Sequence, residues 1–210
     1  MIKNKIVLLF LLLIIYAIIS LLFSVYVLNE KFYFNSFIDK LENEQIERMI
    51  AVNRKYAWVS LILNPIFYVF KLTFISISIY FIKLIIGEDF KATFSQIFFS
   101  VAVADVVFLV LAITKLSYFL LYPPTNLEVI QNFAPGSLYQ LVSQVNEPWL
   151  VYPLQSISIW EFGFIVVLAS QLKEFFQNDF ALSLQNILLS YGTVFLLWIV
   201  FMVFITLNLS

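Results

Sequence analysis

The chain has 210 residues, of which 62% are hydrophobic and 12% charged, with a formal net charge of −1 and neither His nor Cys. A soluble domain usually charges about a quarter of its residues, and a single core of this size cannot hide so much apolar surface, so lipid is the expected solvent. The missing residue types exclude imidazole acid–base work, thiol nucleophiles, disulfides and zinc sites of Cys/His type, and the lack of a basic patch excludes nucleic acid as a partner.

The first apolar run is Ile6–Leu28, preceded by Lys3 and Lys5. Its length exceeds the apolar region of a cleaved signal peptide, about 7–15 residues. Val25-Tyr26-Val27-Leu28 is bulky where a cleavage site needs small side chains. Residues 1–28 therefore read as a signal-anchor helix that stays in place. Residues 29–57 hold five acidic and five basic side chains. Ser36 and Asp39 have capping-box spacing, and no Gly or Pro occurs from 36 to 64. This segment reads as a charged extramembrane helix that continues into the next span.

Residues 58–210 read as a four-helix membrane domain. Its expected spans are Leu61–Ile82, Ile97–Leu121, Pro153–Leu172 and Ile187–Leu207, each near the ~20 residues a bilayer core requires. The irregular loop at 122–152 contains Pro123, Pro124, Pro135 and Pro148. Trp149, Tyr152 and Trp160 would rest it on the membrane surface. The expected fold is all-α and polytopic, with five transmembrane helices and the termini on opposite faces.

Two connectors resemble each other at a shift of 90 positions. Lys83, Asp89-Phe90, Phe94 and Ile97–Ser100 recur as Lys173, Asp179-Phe180, Leu184 and Ile187–Ser190. This suggests a duplicated helix pair, spans two and three matching spans four and five. Asp89 and Asp179 would each cap the next helix, while each Lys snorkels. Any short polar hairpin would supply similar residues, so the pattern also has an unrelated explanation. With the N-terminus inside, five Lys face the cytoplasm and six Lys or Arg the other side. The basic flank at Lys3 and Lys5 then favours an N-terminus inside.

Three charges are expensive by their position within a span, since a charge at mid-span costs about 2.5–3.5 kcal/mol on insertion scales. Lys71 precedes Lys83 by 12 residues, and Glu161 precedes Lys173 by 12. Equal depth and opposite charge predict a buried Lys71–Glu161 pair, acting either as a structural clamp or as part of a transport or proton pathway. Asp105 has Phe195 at its repeat position. It could be protonated, reach Lys71 through a bend, or meet a partner protein. Lys115 would snorkel from near the end of its span.

A family resemblance rests on two stretches. Glu47-Arg48-Met49 and Arg54 lead into Leu63-Asn64-Pro65, a long apolar helix, and then Gly87-Glu88-Asp89-Phe90-Lys91-Ala92-Thr93-Phe94. Pro153 to Trp160, a span, a short polar turn and a last apolar helix with Trp198 form the second. Together, over residues 46–210, they resemble bacterial members of the Ypt-interacting-protein (Yip) membrane family. The chain departs from that pattern in having Gly87 alone in the turn and Asp105 where the family often has Pro. The resemblance implies a five-span helical fold, residence in the bacterial inner membrane and a non-enzymatic, partner-binding role with no catalytic residues.

The residues themselves argue against catalysis. Only Asp105 lies deep enough for a two-aspartate protease, and there is no phosphate-binding Gly loop. Ala134-Pro135-Gly136-Ser137 lacks the flanking glycines of a nucleophile elbow. No cofactor is expected. The leading expectation is a scaffold or accessory subunit of a membrane complex, whose partners are the lipid bilayer and another protein or a second copy. The alternative is a small oligomeric transporter or channel using Lys71, Asp105 and Glu161.

Overall fold

A computed structural model of the chain describes residues 2–38, 40–82, 90–142, 145 and 147–209. Among these residues the regular structure is helical, and β pairing is limited to one isolated bridge between Ser137 and Ser158. Four helical stretches are long and apolar enough to cross a membrane: Ile6–Val27, Leu61–Tyr80, Phe94–Leu121 and Phe180–Asn208. The chain divides into two compact units. One comprises Met1–Val69 and Leu109–Phe133, the other Phe70–Phe108 and Ala134–Ser210.

In the first unit, α1 (Ile2–Leu22) runs on into a π-helical turn, Phe23–Val27. Asn29 opens α2 (Glu30–Phe37) by accepting a 2.9 Å bond from the Phe32 amide, the usual answer to unpaired first-turn N–H groups. Then α3 runs from Asn43 to Tyr80 as one helix of 38 residues. It carries the charged segment directly into an apolar span, with no helix breaker before Pro65. Beside that proline, the Asn64 amide donates to Ser20 Oγ at 2.9 Å, tying α3 to α1. Val27, Leu116 and Phe119 form a buried cluster, with Phe23, Ile130 and Phe133 against it. Here α5 (Val106–Leu121) supplies Leu116 and Phe119, and α6 (Leu127–Asn132) supplies Ile130.

In the second unit, α8 (Ile159–Leu172) packs between α4 (Phe94–Ala104) and α9 (Phe180–Ile187), and α7 (Pro148–Ser156) packs on α10 (Thr193–Leu209). Small residues let the helices approach closely, as in membrane bundles generally. Ala102, Ala104 and Ala169 are buried, and a Cβ on Gly163 would stand 3.2 Å from Val107. Ser183 Oγ donates to the Ala169 carbonyl at 2.9 Å across the α8–α9 contact. Ile97, Phe164, Leu168 and Ile187 fill the interior.

The stretch expected as one span, Pro153–Leu172, is interrupted. Helix α7 ends at Ser156, Ser158 caps α8 by accepting from the Glu161 amide at 3.3 Å, and Ile157 lies between them in extended conformation. Interrupted backbone is tolerated in a membrane only where protein satisfies its polar groups. The loop does this: Leu138 N donates to Ile157 O at 3.0 Å and Ile159 N to Gly136 O at 2.9 Å. The Trp160 indole N–H adds a bond to Pro135 O at 2.7 Å. The irregular loop is therefore a structural partner of the break, with its own 3₁₀ turn at Leu138–Leu141.

The two connectors of the proposed repeat differ at their helix starts. Asp179 caps α9 as expected, accepting from Ala181 N at 2.8 Å and Leu182 N at 3.4 Å. Asp89, like Lys83, lies outside the described residues. The helix after Asp89 begins only at Phe94, capped by Thr93 in a reciprocal box with Gln96. In repeat register, α9 thus starts about one helical turn earlier than α4. Asp39, half of the expected Ser36–Asp39 capping box, also lies outside the described residues.

Candidate functional site: an intramembrane polar cluster

The second unit gathers Lys71, Asp105, Glu161 and Tyr191. Lys71 stands on α3 within the apolar stretch Leu61–Tyr80. Asp105 stands at a break in the stretch Phe94–Leu121, between α4 and α5. Its amide still bonds to Val101 O at 2.9 Å, but its carbonyl accepts from Phe108 N, also at 2.9 Å, in a tightened turn. Glu161 occupies the first turn of α8, where a carboxylate complements the helix dipole. Tyr191 belongs to the π-helical turn Leu188–Gly192 between α9 and α10. An extra residue in such a turn rotates the next helix about its axis, and these bulges are frequent at functional sites.

Lys71 Nζ lies 2.5 Å from Asp105 Oδ1. The aspartate side chain is 0% exposed and the lysine side chain 43%. Lys71 Nζ also stands 4.3 Å from the centroid of the Phe108 ring, close enough for a cation–π attraction. Tyr191 donates its hydroxyl to Glu161 Oε1 at 2.6 Å. Aromatic contacts join the two halves: Phe108 to Phe164 and Phe164 to Tyr191, each at 5.3 Å between centroids. Glu161 also lies within electrostatic reach of Lys71 and Asp105.

The sequence pairs Lys71 with Glu161 and leaves a contact with Lys71 through a bend as one of three options for Asp105. The ion pair that forms is Lys71–Asp105, and Glu161 takes a phenol instead. Equal depth is the basis for the expected pair, but depth says nothing about the direction in which a side chain leaves its helix. The tightened turn at Asp105 is where the carboxylate meets Lys71 of α3. Sequence reasoning misses Tyr191 entirely, although Ser190-Tyr191-Gly192 is a small polar island in an otherwise apolar run.

Beside the cluster lies a cavity of about 470 Å³. Lys71, Phe74 and Ser78 line it from α3, and Tyr191, Phe195 and Trp198 from the π turn and α10. Both sets repeat at helical spacing and so share one face of each element. The Trp198 indole N–H donates to Tyr152 Oη at 2.7 Å, linking α10 to α7 at the wall. Among the described residues no group of three or more acidic side chains converges as a metal ligand set.

The fold defines the class: among the described residues the chain is helical, with four helices able to cross a membrane and a charged cluster in one of its units. No family model, curated protein or solved structure matches the chain.

Proposed function

We propose that this chain is a non-enzymatic integral membrane scaffold or accessory subunit, with the polar cluster acting as its internal clamp. One observation carries the reading: the fully buried Asp105 carboxylate is met by the Lys71 ammonium at 2.5 Å. A buried charge whose partner lies within the same unit is consumed by structure, because removing either member leaves the other uncompensated. Under this reading α7 and α8 together make a fifth crossing, and the connectors at 83–100 and 173–190 are traces of a duplication. The resemblance to the bacterial Yip family, with its partner-binding role, five spans and placement in the inner membrane with the N-terminus inside, is part of the same proposal.

A second reading, a small transporter or channel, draws on a different observation. Two local irregularities within long helices, the tightened turn at Asp105 and the π turn at Leu188–Gly192, lie beside a cavity with polar lining residues, and transporters often build midplane sites where helices depart from regular geometry. A charge-swapped chain, Lys71→Asp with Asp105→Lys, separates the two. The clamp reading expects the swap to preserve the mass and composition of the particle extracted in mild detergent, with no ion or solute flux from vesicles holding either chain. Flux through the wild type that the swap abolishes would establish the transporter instead.

A further inference from the structure

The first unit contains a second polar site that the clamp does not use. Two adjoining cavities, of about 440 and 400 Å³, share Ser24, Leu28, Tyr33 and Asn53. Tyr56 and Lys115 line the larger one, and the Glu30–Arg54 ion pair lines the smaller. Three segments bring these residues to one border of the membrane. Ser24 lies in the π turn where the apolar stretch Ile6–Val27 ends. Asn53 and Tyr56 lie on α3 just before its apolar stretch begins at Leu61. Lys115 lies less than two turns before the end of α5 at Leu121.

The charges in this cleft do not balance. Arg54 is paired with Glu30. Lys55 stands over the Tyr56 ring, 5.5 Å from its centroid. Among the described residues Lys115 has no carboxylate at ion-pair distance. A lysine below the membrane surface is expensive unless it snorkels or meets an anion. Lys115 faces a cleft whose polar side chains, Ser24, Tyr33, Asn53 and Tyr56, offer hydroxyl and amide donors. The rest of the wall is apolar, with Ile19, Phe23 and Leu28. Donors above a cation and hydrocarbon beside them match an anionic headgroup with its glycerol and the start of its chains.

We infer that this cleft binds the phosphate of one anionic glycerophospholipid, with Lys115 as the counter-charge. The bilayer is the source to which the apolar wall commits the site, since free phosphate would gain nothing from it. The full chain, purified in mild detergent, is titrated with a fluorescent phosphatidylglycerol. Unlabelled phosphatidylglycerol, phosphatidylcholine and inorganic phosphate serve as competitors. One saturable site is expected, displaced by phosphatidylglycerol, poorly by phosphatidylcholine and not by millimolar phosphate. Lys115→Gln is expected to weaken binding about tenfold, the scale of one charge-assisted contact, and Lys115→Arg to retain it. Should Lys115→Gln fail to fold, Ser24→Leu and Asn53→Leu, which alter no charge, carry the test through a several-fold loss. Equal displacement by phosphatidylcholine, displacement by free phosphate, or unchanged affinity in the folded variants would each overturn the inference.

Discussion

Lys71 and Asp105 illustrate how far a single residue can be read from its place in the chain. Both are legible as anomalies, because a charge in an apolar run demands a partner. Their pairing stands in the sequence only as one of three options open to Asp105, because the hydropathy pattern does not record the tightened turn at that residue. A buried bridge of this kind is costly to break yet adds little net stability. Lys71→Met leaves the buried Asp105 carboxylate without its counter-ion and is expected to cost about 3–5 kcal/mol, whereas replacing both members with apolar groups is often neutral or better. Lys71→Met combined with Asp105→Leu should therefore recover most of the lost stability, as measured by thermal unfolding in detergent. A double substitution as unstable as Lys71→Met alone would mean that the cluster needs its charges for something other than mutual compensation. Lys115 presents the opposite case. Its place near the end of an apolar run is legible in the sequence, but the polar cleft above it is assembled from three distant stretches and cannot be seen in any one of them.

At the scale of elements, local chemistry foretells more than the overall hydropathy suggests. Thr93 and Gln96, like Ser158 and Glu161, have the hydroxyl-then-Glu/Gln spacing that begins a helix. Both Thr93 and Ser158 act as N-caps in the structure. Read on its own terms, the Ser158–Glu161 pair announces a helix start inside what hydropathy treats as one continuous span. The expected cap at Asp89 comes instead from the repeat, which draws the helix start away from Thr93. The break at Ile157–Ser158 survives because residues 134–138 press against it. Gly136 is the tightest point. Its φ is +74°, and a Cβ there would stand 2.7 Å from Ile159 Cγ1 and 3.2 Å from the Trp160 indole nitrogen. Gly136→Ala therefore combines a left-handed backbone with an overpacked contact, and a loss of about 1–3 kcal/mol is expected. Limited proteolysis should detect it as faster cleavage in the 134–142 segment. Unchanged proteolysis and thermal stability would show that the loop does not hold the break closed.

For the whole molecule, composition alone settles the solvent, since so apolar a chain needs lipid around it. The number of crossings depends on α7 and α8. At about 1.5 Å per residue, the 14 residues of α8 extend roughly 21 Å, short of a hydrocarbon core of about 30 Å. Adding the nine residues of α7 brings the combined length to roughly 35 Å if the two run end to end. A fifth crossing therefore requires both helices, with the loop-sealed break inside the membrane. If they instead enter and leave by the same face, the chain crosses four times. The absence of Cys from the sequence makes this directly measurable. Leu141, 81% exposed before α7, and Glu174, exposed after α8, can each be replaced by Cys and labelled in sealed vesicles with a membrane-impermeant maleimide. Five crossings put the two positions on opposite faces, so that only one of the two variants labels before the vesicles are permeabilised. Labelling of both from the same face would reduce the chain to four crossings. It would also bring the N- and C-termini to the same side and remove the parallel relation between connectors on which the proposed duplication rests.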